Sequence, residues 1–255
     1  MPRLRHTDWP DRLWIVRHGQ SAGNVARDTA ELGGHDLIDL QTRDADTPLS
    51  DLGREQARAL GAWFAELPKG ERPTVLMTSP FVRSQQTCMA VAEALGLDPD
   101  DLQVDERLRE KEFGILDRYT RHGIHRKFPD LAAQRALVGK FYFRPPGGES
   151  WCDVILRLRS LLEVLRRDHV GDRVLIVGHQ VIVNCFRYLL ECLDEAAILA
   201  IDKEADVPNC GITEYGIERN DPEARFGLRR ANHVAPLLES GAPVTTAADV
   251  PAGPK

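Results

Sequence analysis

The sequence predicts an α/β protein with a mainly parallel sheet covered by helices on both faces, and three observations carry that expectation. First, the apolar runs "LWIV" (13–16), "TVLMTS" (74–79) and "RVLIVGH" (173–179) are continuous rather than alternating, as in strands buried on both faces. Second, stretches with a three-to-four-residue apolar period separate and follow them. Third, there is no internal repeat, and the composition of the 255 residues shifts only near Ala231. One domain over 1–230, with its core at about 11–217, is therefore expected, followed by a loosely packed Ala/Pro-rich extension at 231–255.

The first strand runs directly into Arg17, His18 and Gly19, and a polar segment follows as far as Thr47. "PLSDLGREQARALGAWFAEL" (48–67) predicts a helix, with Ser50 as N-cap and Ala57, Leu60, Phe64 and Leu67 on one face. The second strand passes through Pro80 into the helix "FVRSQQTCMAVAEAL" (81–95), which Gly96 closes. "DLQVDERLRE" (101–110) is a strand-like entry to a loop at "KEFG". After a basic middle segment, Ser150 with Asp153 three residues on predicts a capping box opening a long amphipathic helix. The third strand leads into the helix "QVIVNCFRYLLECL" (180–193).

Composition narrows the function classes. Hydrophobic residues at 42%, with 28% charged, are ordinary for a globular protein, and the net charge of -6 argues against nucleic-acid binding. No window reaches 18 uninterrupted apolar residues, and the N-terminus lacks the apolar stretch of a signal peptide. The five cysteines show no zinc-ligand spacing, and none lies in a basic glycine-rich turn, so reduced core thiols in a cytoplasmic protein are expected. No metal, cofactor or membrane partner is implied, and a homodimer is compatible with the composition.

Ligands of open parallel sheets bind beyond the carboxyl ends of the strands. Here those ends deliver Arg17 and His18, Arg83 at a helix start, and His179. Four groups that are or can become cationic would repel one another unless an anion lies among them, and a tetrahedral phosphate matches arginine forks and helix N-terminal amides. "ERLREKEFG" adds Glu106, Glu110 and Glu112, one of which is expected to serve a leaving group as proton donor while two are solvated.

"RHGQSAGN", "PLSDLGREQA", "TSPFVRSQQTC", "RLREKEFG", "PPGGES" and "VGHQ" together resemble the ordered signature of the histidine phosphatase, or phosphoglycerate-mutase-like, superfamily, from Leu13 to about Tyr215. The resemblance implies a three-layer α/β/α sandwich and a metal-free double displacement through phosphohistidine. It implies His18 as nucleophile, Arg17, Arg83 and a protonated His179 as the phosphate pocket, Asn24 as a further phosphate contact, and Glu110 as acid and then base. "GHQ" after the third strand, rather than "GHD", implies the mutase-like branch, whose acid is Glu110.

The substrate is less legible. "KFYFRPPGGESW" and "VGHQVIVNCFRYLL" resemble fructose-2,6-bisphosphatases through Lys140, Trp151 and Gln180, but Asn184 and Ala136 stand where that resemblance calls for arginines. The expected activity is that of a phosphomonoesterase, with a sugar bisphosphatase, a phosphoglycerate mutase and a non-catalytic phospho-ligand module as competing readings. Residues 25–47 carry six acids against two arginines, and residues 118–144 carry seven bases against one acid. The two segments are expected to close over the substrate, with Lys140 and Arg144 holding its far end. His122 and His125 are read as basic surface, His35 and His169 likewise, and Glu149 as serving the turn before the long helix.

Overall fold

The computed structural model describes residues 9–217 and 226–246. Among them, six strands form one sheet in the order β3-β2-β4-β1-β5-β6. These are β1 (Arg12–Arg17), β2 (Val75–Thr78), β3 (Gln103–Val104), β4 (Arg173–Gly178), β5 (Ile212–Gly216) and β6 (Gly227–His233). The pairs from β3 to β1 are parallel, and β5 and β6 extend the sheet antiparallel. The helices are α1 (Ala22–Leu32), α2 (Asp51–Glu66), α3 (Val82–Leu95), α4 (Arg121–Lys127), α5 (Pro129–Val138), α6 (Trp151–Asp168), α7 (Gln180–Leu190), α8 (Glu195–Glu204) and α9 (Ala235–Ser240).

Alternation along β1 builds the three layers. Leu13 and Ile15 join Leu158 and Leu161 of α6 and Val181 and Phe186 of α7, whereas Trp14 and Val16 join Leu60 and Phe64 of α2 and Val91 of α3 on the opposite face. The predicted caps are in place. Ser50 Oγ accepts from Gly53 N at 3.0 Å, Gly96 takes the left-handed φ of 68° that closes α3, and Ser150 and Asp153 form the reciprocal capping box of α6.

The polar segment after β1 begins with a helix the apolar pattern did not reveal. α1 buries only Asn24 and Ala30, and a capping box between Ser21 and Asn24 starts it. The expected loose extension also needs correction, because residues 231–246 belong to the fold. His233 of β6 pairs with Ile212 of β5, Leu237 of α9 is fully buried, and Gln56 Nε2 donates to Pro243 O and Thr245 Oγ1. Residues 247–255 lie outside the described residues.

Candidate active site

Register brings the two histidines together. β1 and β4 pair with Arg17 opposite Gly178, so His18 and His179 leave the sheet side by side, their ring centroids 5.2 Å apart. Behind them α2 approaches closely: a Cβ on Gly53 would run into the Gln20 carbonyl, so only glycine fits there.

His18 is 3 % exposed, and its Nδ1 lies 2.6 Å from the Gly19 carbonyl. A carbonyl only accepts, so Nδ1 carries the proton and Nε2 keeps its lone pair, toward which Arg83 Nε donates from 3.2 Å. Burial, then the charges of Arg83 and Arg17, hold the His18 pKa well below the ordinary imidazole value, so the ring is neutral. A neutral imidazole with a defined free nitrogen is a nucleophile rather than an acid.

Arg17 is fixed from behind. Its Nη1 donates to the Val207 carbonyl and, at 3.0 Å, to Gln180 Oε1, while Gln180 Nε2 donates to Asp206 Oδ1 at 2.9 Å. A carboxylate cannot donate, so Asp206 determines which end of the Gln180 amide faces the arginine.

His179 is fully buried. Its Nε2 lies 2.8 Å from Ser79 Oγ, and its Nδ1 has no hydrogen-bond partner but is 3.9 Å from Glu110 Oε2. Burial, then the charges of Arg83 and Arg17, hold its pKa well below the imidazole value. As the site stands the ring is therefore neutral, and a phosphoryl dianion beside it would favour the charged form expected during phosphoryl transfer.

Of the three acids in the following loop, Glu110 lines the cleft, with its side chain 13% exposed, whereas Glu106 and Glu112 face solvent. The loop is held by the turn that precedes α6. Glu149 accepts from Arg109 Nη2 at 2.6 Å, Arg157 Nε at 3.1 Å and the Glu112 amide at 3.1 Å, and Arg157 Nη2 donates to the Glu110 carbonyl at 3.3 Å. Gly114 has a φ of 56°, and a Cβ there would strike the Pro146 carbonyl, so loop and turn mesh only through glycine. Glu149 thus positions the acid-bearing loop, and Arg157, which carried no sequence signal, shares that role.

Arg17, His18, Asn24, Arg83, Glu110 and Gln180 all line one cleft. Asn24 Oδ1 accepts the Ser21 amide at 2.9 Å, which leaves its amide N–H groups for an anion. Lys140 and Arg144 are not brought to this cleft. Lys140 pairs with Asp202 at 2.6 Å over the Trp151 ring, and Arg144 pairs with Asp153, because each finds a carboxylate nearer than the strand ends. The cysteines are not poised either: burial pushes Cys88 up to about 12 and Cys210 further still.

The cleft also holds Arg27, Asp44 and Arg118 from the two charged segments, and Phe113 and Asp117, which the sequence did not single out. Arg27 had a recoverable signal, since it lies three residues after Asn24 on the same helix face. The two charged segments do meet. Ile38 N donates to Arg118 O at 2.8 Å, Arg126 pairs with Asp36, and the Arg118 guanidinium donates to the carbonyls of Leu40 and Thr42 at 3.0 and 2.6 Å. Of the basic segment, only Arg118 reaches the cleft.

A family model for the histidine phosphatase superfamily (branch 1) matches residues 13–226. The chain belongs to this superfamily. Among its histidine phosphatase relatives, a 2,3-bisphosphoglycerate-dependent phosphoglycerate mutase of Sinorhizobium fredii is 31% identical over 77% of this chain and 87% of its own. A 6-phosphofructo-2-kinase/fructose-2,6-bisphosphatase of Caenorhabditis elegans is 33% identical over 69% of this chain but only 33% of its own length. The structure of the mycobacterial glucosyl-3-phosphoglycerate phosphatase superposes with a TM-score of 0.66 at 28% identity, covering 87% of this chain and 98% of that one. The three-layer α/β/α fold of a histidine phosphatase is thereby established. Among the described residues no helix is long and apolar enough to cross a membrane.

Proposed function

We propose that this histidine phosphatase hydrolyses a small, singly phosphorylated metabolite through a phosphohistidine at His18, without a metal. The observation that carries this reading is the convergence in one cleft of a neutral His18 whose Nε2 holds the lone pair, two arginines and one shielded carboxylate, with a second, fully buried histidine packed beside His18 and Glu110. His18 Nε2 attacks phosphorus in line and the ester P–O bond breaks, while Arg17, Arg83 and His179 neutralise the equatorial oxygens. Glu110 gives its proton to the departing oxygen and then takes one from the water that attacks the phosphohistidine, releasing orthophosphate and restoring His18.

The mouth supports a single phosphoryl group. Asp44 and Asp117 stand at the rim, the Arg118 guanidinium is engaged by backbone carbonyls, and Lys140 and Arg144 are paired elsewhere. A second phosphate would meet Asp44 and Asp117 beside Arg27 and the engaged Arg118 rather than an unopposed cationic cradle, while Ile38, Leu40 and Phe113 offer contact to a largely uncharged leaving group. The mutase-like relatives keep a second reading open: transfer to and from a phosphoglycerate at the same histidine. A panel of sugar and glycerol monophosphates, 3-phosphoglycerate and fructose 2,6-bisphosphate, assayed with EDTA present, tests the proposal. Hydrolysis of monophosphates with negligible mutase activity is expected. A kcat/KM for either of the last two far above every monophosphate, or activity only with added metal, overturns it.

A further inference from the structure

Arg83 is the arginine expected to meet the phosphoryl oxygens, yet each of its three nitrogens already donates within the protein. Its Nε donates to His18 Nε2 at 3.2 Å, its Nη1 to the Asp44 carbonyl at 2.6 Å and its Nη2 to the Asp44 carboxylate at 3.0 Å. Phe81 lies under the guanidinium, 4.9 Å from ring centre to Cζ, so the plane is braced. The two partners differ in freedom. The Arg83 side chain is 6% exposed, whereas that of Asp44, on a short turn (Asp44–Asp46) between α1 and α2, is 40% exposed and faces the cleft mouth. Asp44 can swing to water, but Arg83 cannot.

We propose that Asp44 is a specificity-determining residue: its carboxylate occupies the Arg83 fork in place of the substrate's phosphoryl oxygens, so a ligand binds only by displacing it. This inference rests on the phosphatase reading of the same site. A carboxylate and a phosphoryl oxygen present the same kind of acceptor to a guanidinium, and the two anions cannot share the fork without strong repulsion. The intramolecular carboxylate has the advantage of proximity. A competitor must therefore gain more than one contact, which a phosphomonoester dianion does by engaging Arg17, Arg83 and the start of α7 together. A carboxylate carries one charge on two oxygens, and sulfate, though a tetrahedral dianion, is a far weaker base and hydrogen-bond acceptor than a phosphomonoester. After the second chemical step, the return of Asp44 to Arg83 drives orthophosphate out.

The test compares Asp44→Asn and Asp44→Ala with the wild type and with Asp46→Asn, which removes the same charge from the same turn but pairs with Arg43 rather than Arg83. Calorimetric titration with orthovanadate and orthophosphate, and inhibition by sulfate, are measured for each. Both Asp44 variants are expected to bind vanadate and phosphate about tenfold more tightly and to become sensitive to sulfate, with Asp46→Asn within about twofold of the wild type. Unchanged or weaker binding in the Asp44 variants overturns the proposal, because Asp44 would then only be aligning Arg83. An equal gain in Asp46→Asn also overturns it, as a bulk charge effect. If the wild type and all variants bind neither anion, the phosphatase reading itself fails, and the proposal with it.

Discussion

The floor of the cleft and its mouth are built in opposite ways. On the floor, Arg17, His18 and His179 sit at the ends of β1 and β4, and Arg83 in the first turn of α3, all 5% exposed or less. At the mouth, residues 27–44 and 113–118 are the end of α1, loops and a short 3-10 turn (Gly114–Leu116), and the Arg118 guanidinium reaches across to backbone carbonyls. The rigid part is placed by sheet register, which a one-residue slip would destroy, and it holds the groups proposed to do the chemistry. The mouth is free to vary in length and charge without disturbing that register, and it is where substrate choice is proposed to lie.

If the floor carries the chemistry, the largest effect belongs to its nucleophile. His18→Ala is expected to lower kcat by on the order of 10⁴-fold or more while the protein keeps its circular dichroism, measured with p-nitrophenyl phosphate. Retained turnover would move the chemistry elsewhere. Glu110→Gln comes next, with a loss of roughly 10²–10⁴-fold on an alkyl phosphate and a much smaller loss on p-nitrophenyl phosphate, whose leaving group needs little protonation. Glu106→Gln and Glu112→Gln, both facing solvent, are expected to stay near the wild type. The same pattern in either would shift the acid along the loop.

Asp206→Asn sharpens the comparison, because Asp206 reaches the floor through Gln180. With an amide at 206, Gln180 can turn its N–H₂ toward Arg17 and the arginine loses its fixed acceptor. KM is expected to rise about tenfold, with kcat within about twofold, as for a contact made equally to substrate and transition state. A fall in melting temperature without a KM change would mark Asp206 as structural alone.

The smallest effect is thermodynamic. Both floor histidines are held neutral in the folded protein, with pKa values well below 6.5, and both titrate at about 6.5 once unfolded. Below that pH the unfolded chain binds more protons, so stability is lost as pH falls from 6.5 and is unaffected above it. The slope of melting temperature against pH below 6.5 is expected to be shallower in His179→Gln than in the wild type. Identical slopes would contradict neutral burial.

Much of the floor was legible because its signals are local. An apolar run followed by Arg17-His18, a Ser50 cap, a Gly96 stop and a Ser150–Asp153 box each encode a conformation within a few residues. The mouth was not legible, because its signals are directional. α1 has almost no apolar stripe, and counting charges in 118–144 said nothing about which way they point, so Lys140 and Arg144 were expected at the substrate yet pair with Asp202 and Asp153. β5 and β6 were missed for a related reason. β5 buries Thr213 and Glu214, and Glu214 is tolerated only because Arg12 and Arg230 from the flanking strands meet it at 3.2 and 2.7 Å.

The most direct measurement is to quench the enzyme in mid-turnover and locate the covalent phosphate. Cleavage after Arg17 and Arg27 isolates residues 18–27, in which His18 is the sole histidine. An acid-labile, base-stable phosphate on that peptide, absent from His18→Ala, is the expected result. Phosphate on any other peptide, or steady turnover with no trapped phosphate, would contradict a nucleophile at the end of β1.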